Sequence, residues 1–163
     1  MKLVVSPNPI LSQVATSWDF NTDTNANDLE VDMVQLMVES NGIGLAANQV
    51  GILKRVFAIH LTDQVPFCMF NPAVISSSNT IEDNEEGCLS FPDLWLKVKR
   101  PSSITAEYFD RQGKQCIIEL SGIDARCFLH ELDHLNGEVF INKVSTLKLA
   151  MAKKKQQKRK QNG

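Results

Sequence analysis

Between residues 25 and 40 apolar positions recur at helical spacing, with Leu29, Met33, Leu36 and Met37 on one face. Asn41-Gly42 follows, two residues that tolerate a left-handed backbone, so a helix is predicted from about Asn25 to Ser40 with its stop built in. Upstream, Asn8-Pro9 reads as an N-cap followed by proline at the first helical position, which predicts a short helix there. From Val56 onward the pattern becomes extended. Val56–Leu61 and Phe67–Ile75 are rich in β-branched and aromatic residues and read as strands, as do Leu96–Val98, Ser103–Phe109 and Cys116–Leu120. Asp110-Arg111-Gln112-Gly113 supplies the turn between the last two. Ser76–Glu86 is polar and reads as turn-like. A second helix opens at Ser121, with Asp124 three residues on as a near capping box, and runs to about Leu135 with Gly137 just past its end. A last, basic helix starts near Ser145. Strands followed by a late helix, with no repeat, linker or low-complexity break, predict one α+β domain spanning 1–163.

Composition narrows the class. Apolar residues make up 43% and charged residues 22% of 163 residues, a globular balance in a chain long enough to bury a core unaided. No run approaches the ~18 apolar residues of a membrane span. Met1 to Ser6 is too short, and too soon broken by Pro7, for a secretory signal. A cytoplasmic protein is therefore expected; an organellar or virus-infected host cell fits the same sequence. The four cysteines form no C-x-x-C pair and are not expected to form disulfides; Cys68 and Cys116 read as small buried hydrophobes. Charge is uneven. Residues 142–163 hold eight of the 17 basic groups and no acid, which leaves nine against 19 acidic groups elsewhere, a balance of −10. Such a tail either contacts an anionic partner such as RNA or is a solvated terminus.

The chemistry concentrates in His130-Glu131-Leu132-Asp133-His134. An H-E-x-x-H on a helix puts both imidazoles on one face, a turn apart, where they can grip one metal ion, with Glu131 in reach of an activated water. A catalytic metal takes three protein ligands and keeps one open position. The downstream third ligand of common zinc peptidases is missing. Phe140 stands six residues after His134, and Glu138, the only later acid, is too close in the chain. An upstream ligand is required, and His60 and Cys88 are the candidates.

Three segments carry a family resemblance: Gly42-Ile43-Gly44-Leu45-Ala46-Ala47-Asn48-Gln49, Glu86-Gly87-Cys88-Leu89-Ser90 and His130-Glu131-Leu132-Asp133-His134-Leu135-Asn136-Gly137. In order and separation they resemble the three signature motifs of peptide deformylases. Ser6-Pro7-Asn8-Pro9-Ile10-Leu11, Val98-x-Arg100, Asp110-x-x-Gly113 and the basic tail are similar as well, so the likeness spans the chain. It implies antiparallel strands packed around the central HExxH-bearing helix, with N-terminal helices and a C-terminal basic helix. It implies removal of the formyl group from the formyl-methionine of new polypeptides, releasing formate. It implies one divalent metal ion held by Cys88, His130 and His134, natively Fe2+, with Zn2+, Ni2+ or Co2+ as substitutes. In the implied mechanism metal-activated water attacks the formyl carbon. Glu131 acts as general base and then acid, while the Gln49 side chain and the Leu89 backbone N–H stabilise the oxyanion.

Substrate contacts are partly derivable. Ile123, Cys127, His130 and His134 fall at i, i+4, i+7 and i+11, one helical stripe, so Ile123 and Cys127 could wall a methionine pocket; they could equally be core. By resemblance an extended peptide pairs with main chain near Ile43, Gly44 and Gly87. Two positions depart from the family. Leu129 precedes the HExxH where many members carry Gln, and Leu94-Trp95 replaces residues that are often polar or basic. Two other readings compete: a zinc peptidase cutting internal bonds, and an RNA-associated binding protein with a structural metal. The first lacks its downstream ligand, and the second lacks a fourth ligand to close the site.

Overall fold

Strand β2 (Val56–Ile59) is buried at every position, because it lies inside a sheet covered on both faces. A computed structural model describes residues 1–163. The sheet has five antiparallel strands in the order β1 (Gly44–Ala46), β2, β3 (Phe67–Ser77), β6 (Ser103–Phe109) and β7 (Gln115–Ser121). Alternate residues of β2 serve opposite faces. Val56 and Ala58 join Met33 and Met37 of helix α1 (Ala26–Glu39); Phe57 and Ile59 join Phe128 and Leu135 of helix α2 (Gly122–Leu135). The Phe57 and Phe128 rings meet edge to face at 5.3 Å.

A separate hairpin pairs β4 (Ile81–Cys88) with β5 (Phe91–Pro101). Leu94, Leu96 and Val98 alternate inward along β5 and pack on Phe140 and on Leu149 of helix α3 (Thr146–Asn162). No helix is long and apolar enough to cross a membrane. The architecture is α+β, as the pattern predicts, with the HExxH helix at its centre.

Most predicted elements recur within a few residues. Asn8 caps the turn at Pro9 through Ile10 N–H, and Asn41 leaves α1 with φ 57°. Ser145 caps α3 by accepting from Lys148 N–H, so the basic tail is helical. Three expectations change. Ser76–Glu86 is not turn-like: β3 runs to Ser77 and β4 begins at Ile81. Its outward residues are polar because they face water, and pairing with β5 rather than local pattern makes it a strand. Ser121 precedes α2 without a side-chain cap; Asp124 instead accepts from the Thr62 N–H and hydroxyl, each at 3.0 Å. Cys116 is half-exposed rather than buried, while Cys68 is buried; all four thiols are unpaired.

The hairpin is fastened to α2 by Arg126. Its guanidinium donates to the carbonyls of Val98 at 2.7 Å, Glu82 at 2.9 Å and Asn84 at 3.3 Å, and lies 3.4 Å from Glu86. Arg126→Met would leave these acceptors buried without a donor, at about 1–3 kcal/mol apiece when unsatisfied. We expect a loss of at least about 3 kcal/mol in denaturant unfolding, the scale for breaking a buried pair. A loss under ~1 kcal/mol would show that water replaces the guanidinium.

Candidate active site

The hairpin also aims Cys88. Gly87 pairs with Trp95 but Cys88 pairs with Phe91, so residues 92–94 bulge and Asp93 takes φ 61°. Bulges of this kind re-aim the neighbouring side chain. Here the Cys88 thiol reaches 3.3 Å from His134 Nε2. Cys88, His130 and His134 offer ligand atoms that all lie within 4.8 Å of one another, about twice a metal–ligand bond of ~2.0–2.3 Å. One thiolate and two imidazoles suit iron or zinc. His60 lies at the far end of β2, exposed and outside this group.

A buried charge network orients the group from behind. Glu86 Oε1 contacts His130 Nδ1 at 3.2 Å and leaves Nε2 for a ligand role. Arg100 reaches Glu86 at 2.8 Å and Asp133, inside the HExxH, at 2.6 Å. Burial alone would raise Glu86, but the hydrogen bonds from His130 and Arg100 outweigh it and hold this carboxylate below its ordinary value. Burial, aided by the charges of His130 and Arg100, pulls His134 well down and keeps it neutral, the form that binds metal. At His130 burial acts downward, yet hydrogen bonds with Cys88 and Glu86 and the charge of Glu131 prevail and raise it to about 10. A metal ion competes with that proton for the ring.

Glu131 is 4% exposed, and its Oε2 has no hydrogen-bond partner. Burial pushes it up to about 7 against the opposing charge of His130. A buried carboxylate oxygen without a donor signals a partner supplied from outside the chain.

Gln49, at 1% exposure, is no surface amide. Its Oε1 accepts from Ala46 N–H at 2.9 Å, and its Nε2 donates to Ser90 Oγ at 3.0 Å and approaches Cys88 Sγ at 3.5 Å. Ser90 passes the bond on to Val4 O at 2.7 Å. A cleft of about 500 Å³ opens over the group. Ile43, Gly44, Gln49, Gly87, Leu89, Ile123, Cys127, His130 and Glu131 all line it, so the predicted contact residues share one surface. The stripe on α2 divides. Ile123 is 56% exposed in the cleft, while Cys127 belongs to the core and donates to Ile43 O at 3.3 Å.

Gly44 is required by space. A Cβ there would run into Glu131 Oε1 and sit 2.8 Å from Cys127 Sγ. We expect Gly44→Ala to keep its metal content but lose at least about 10²-fold in turnover, because it displaces the Glu131 carboxylate. Steady-state kinetics with elemental analysis checks this, and wild-type turnover would show that Glu131 has room to move.

Sequence reasoning assigns no role to Arg126 or to Asn48. Asn48 Nδ2 donates to His134 O at 2.6 Å and fixes the end of the motif. Arg126 had a signal, a cation four residues before His130 on the buried stripe. Leu129 packs at the margin of the core.

Fold and site together define an α+β hydrolase built around a buried HExxH helix with a cysteine beside it. Comparison narrows this. The polypeptide deformylase family model matches residues 1–150. A peptide deformylase of Rhizobium meliloti (strain 1021) is 42% identical over 153 residues, 91% of this chain and 87% of that protein. One of Agrobacterium fabrum is 40% identical, over 94% of this chain and 92% of its own. Among solved structures, a peptide deformylase from Legionella pneumophila aligns with TM-score 0.88 at 34% identity, over 98% of this chain and 95% of that one. Another, from Synechococcus elongatus in complex with actinonin, gives 0.87 at 34%, over 94% and 86%. The chain belongs to the polypeptide deformylase family.

Proposed function

We propose that this chain removes the N-formyl group from the formyl-methionine of newly made polypeptides in the cytoplasm. The observation that carries the reading is the unpartnered oxygen of buried Glu131, on the wall of the cleft beside Cys88, His130 and His134. Cys88, His130 and His134 would hold a divalent ion, Fe2+ natively with Zn2+, Ni2+ or Co2+ as substitutes, and the ion would supply Lewis acidity for the hydrolysis.

The residues of the chain do the rest. Glu131 takes a proton from the water as its oxygen adds to the formyl carbon. The negative charge that develops on the formyl oxygen is met by the Gln49 amide and the Leu89 N–H. Glu131 then delivers its proton to the nitrogen as the carbon–nitrogen bond breaks, leaving formate and a free amino terminus. Orientation comes from Ala46 and Ser90, which fix the Gln49 amide from both ends. Glycines 44 and 87 let the substrate backbone come close, and Ile43, Ile123 and Cys127 supply apolar wall for an unbranched side chain. The basic helix α3 suits an anionic partner such as the ribosome, where formylated chains emerge.

Formate release from formyl-Met-Ala-Ser, by protein reconstituted anaerobically with ferrous iron, tests the reading. Release from this peptide and none from its unformylated counterpart is the expected result. No release from protein holding one metal per chain would move the site to another substrate.

A further inference from the structure

Past Trp95 the cleft continues into a second groove, between β5 and α3. Glu85 and Trp95 line both. The α3 wall is a single stripe, Lys148, Met151, Ala152, Lys155 and Arg159, at i, i+3, i+4, i+7 and i+11. Lys97 of β5 completes it. The helix is pinned to the hairpin: Gln156 Nε2 donates to Pro92 O at 2.7 Å, and Leu149 and Ala152 pack on the β5 cluster. Lys97, Lys155 and Arg159 are exposed, and none reaches a carboxylate; Lys148 has only a distant one, Asp83 at 4.0 Å. Four cations against two acids, Glu85 in the groove and the more distant Asp83, border a half-exposed indole. The chain is otherwise net acidic, so this concentration is local.

We propose that the groove is a downstream subsite, which favours nascent chains carrying acidic residues after their first three positions. It rests on the deformylase reading. A peptide anchored near Gly44 and Gly87 advances about 3.3 Å per residue when extended. It leaves the cleft across Trp95, the wall that cleft and groove share, and its next residues lie among the unpaired cations. Continuity with the cleft favours a peptide over a nucleic acid as occupant. Exposed charge pairs are individually weak and screened by salt, so the expected preference is about 3- to 10-fold in kcat/KM at low ionic strength.

The test compares the full chain, loaded with ferrous iron, on three substrates: formyl-Met-Ala-Ser, formyl-Met-Ala-Ser-Ala-Asp-Asp-Glu and formyl-Met-Ala-Ser-Ala-Asn-Asn-Gln. The acidic heptapeptide should exceed the neutral one, and the ratio should approach one at about 0.5 M salt. Lys155→Glu with Arg159→Glu should bring the ratio to one or below. Lys154→Glu with Lys158→Glu, the same charge change off the stripe, should keep the preference. A wild-type ratio near one with the tripeptide still processed overturns the subsite and leaves the deformylase reading standing. Equal loss in both double variants also overturns it, by assigning the effect to net charge. A ratio near one, with ribosome co-sedimentation lost only in the Lys155/Arg159 variant, gives the groove to RNA instead. No formate from any of the three overturns the deformylase reading and the subsite with it.

Discussion

Cys88→Ala is expected to lose both its metal and its turnover, while His60→Ala keeps both. The thiol is the upstream member of the Cys88, His130 and His134 group, and His60 lies exposed beyond it. Residues that merely orient a metal ligand cost about 10–100-fold in affinity or activity when lost, so removing a ligand should cost at least ~100-fold. The buried frame favours survival of the fold. Arg126 and Arg100 hold the hairpin and Glu86 without help from the thiol. Elemental analysis of the folded variant, with circular dichroism as control, reads the outcome. One full equivalent of metal in Cys88→Ala would remove it from the ligand set and send the search for a third ligand elsewhere.

Glu131→Gln should separate binding from chemistry. The amide is nearly isosteric, so metal content and fold should persist. It carries no exchangeable carboxyl proton, so kcat should fall by about 10²- to 10⁴-fold, the range for general acid–base loss, with a smaller change in KM. The substitution also removes a carboxylate that burial holds near neutrality, which argues for unchanged or slightly improved stability. Turnover close to wild type, measured as formate release, would take Glu131 out of the reaction. Loss of metal along with activity would instead assign it to holding the ion.

These expectations differ in how far a reader of the bare chain could have reached them. The helical period of Leu29, Met33, Leu36 and Met37 located α1. Asn8-Pro9 marked a cap and Ser145 the start of α3, because caps and periods are local and are written within a few residues. His130, Glu131 and His134 were equally legible, since one helix presents all three and helical geometry alone brings them together. The third member was not. Residue chemistry left His60 and Cys88 open, and only the likeness to a known family chose between them.

The tertiary structure decided what lies across the chain. Strand β4 carries no apolar alternation because its partner and Arg126, 42 residues away from Asn84, hold it in place. A still longer separation in sequence hides why Gly44 must be glycine, since the atoms it would strike belong to α2. The capping box at Ser121 does not form, for a related reason: Asp124 finds a stronger use in Thr62, two hydrogen bonds no local rule anticipates. What the sequence by itself determined, then, are the elements and the groups that one element can present. The aim of Cys88, the burial of Glu131 and the network behind His130 come from packing distant segments around α2, where low dielectric and close contact give each group its chemistry.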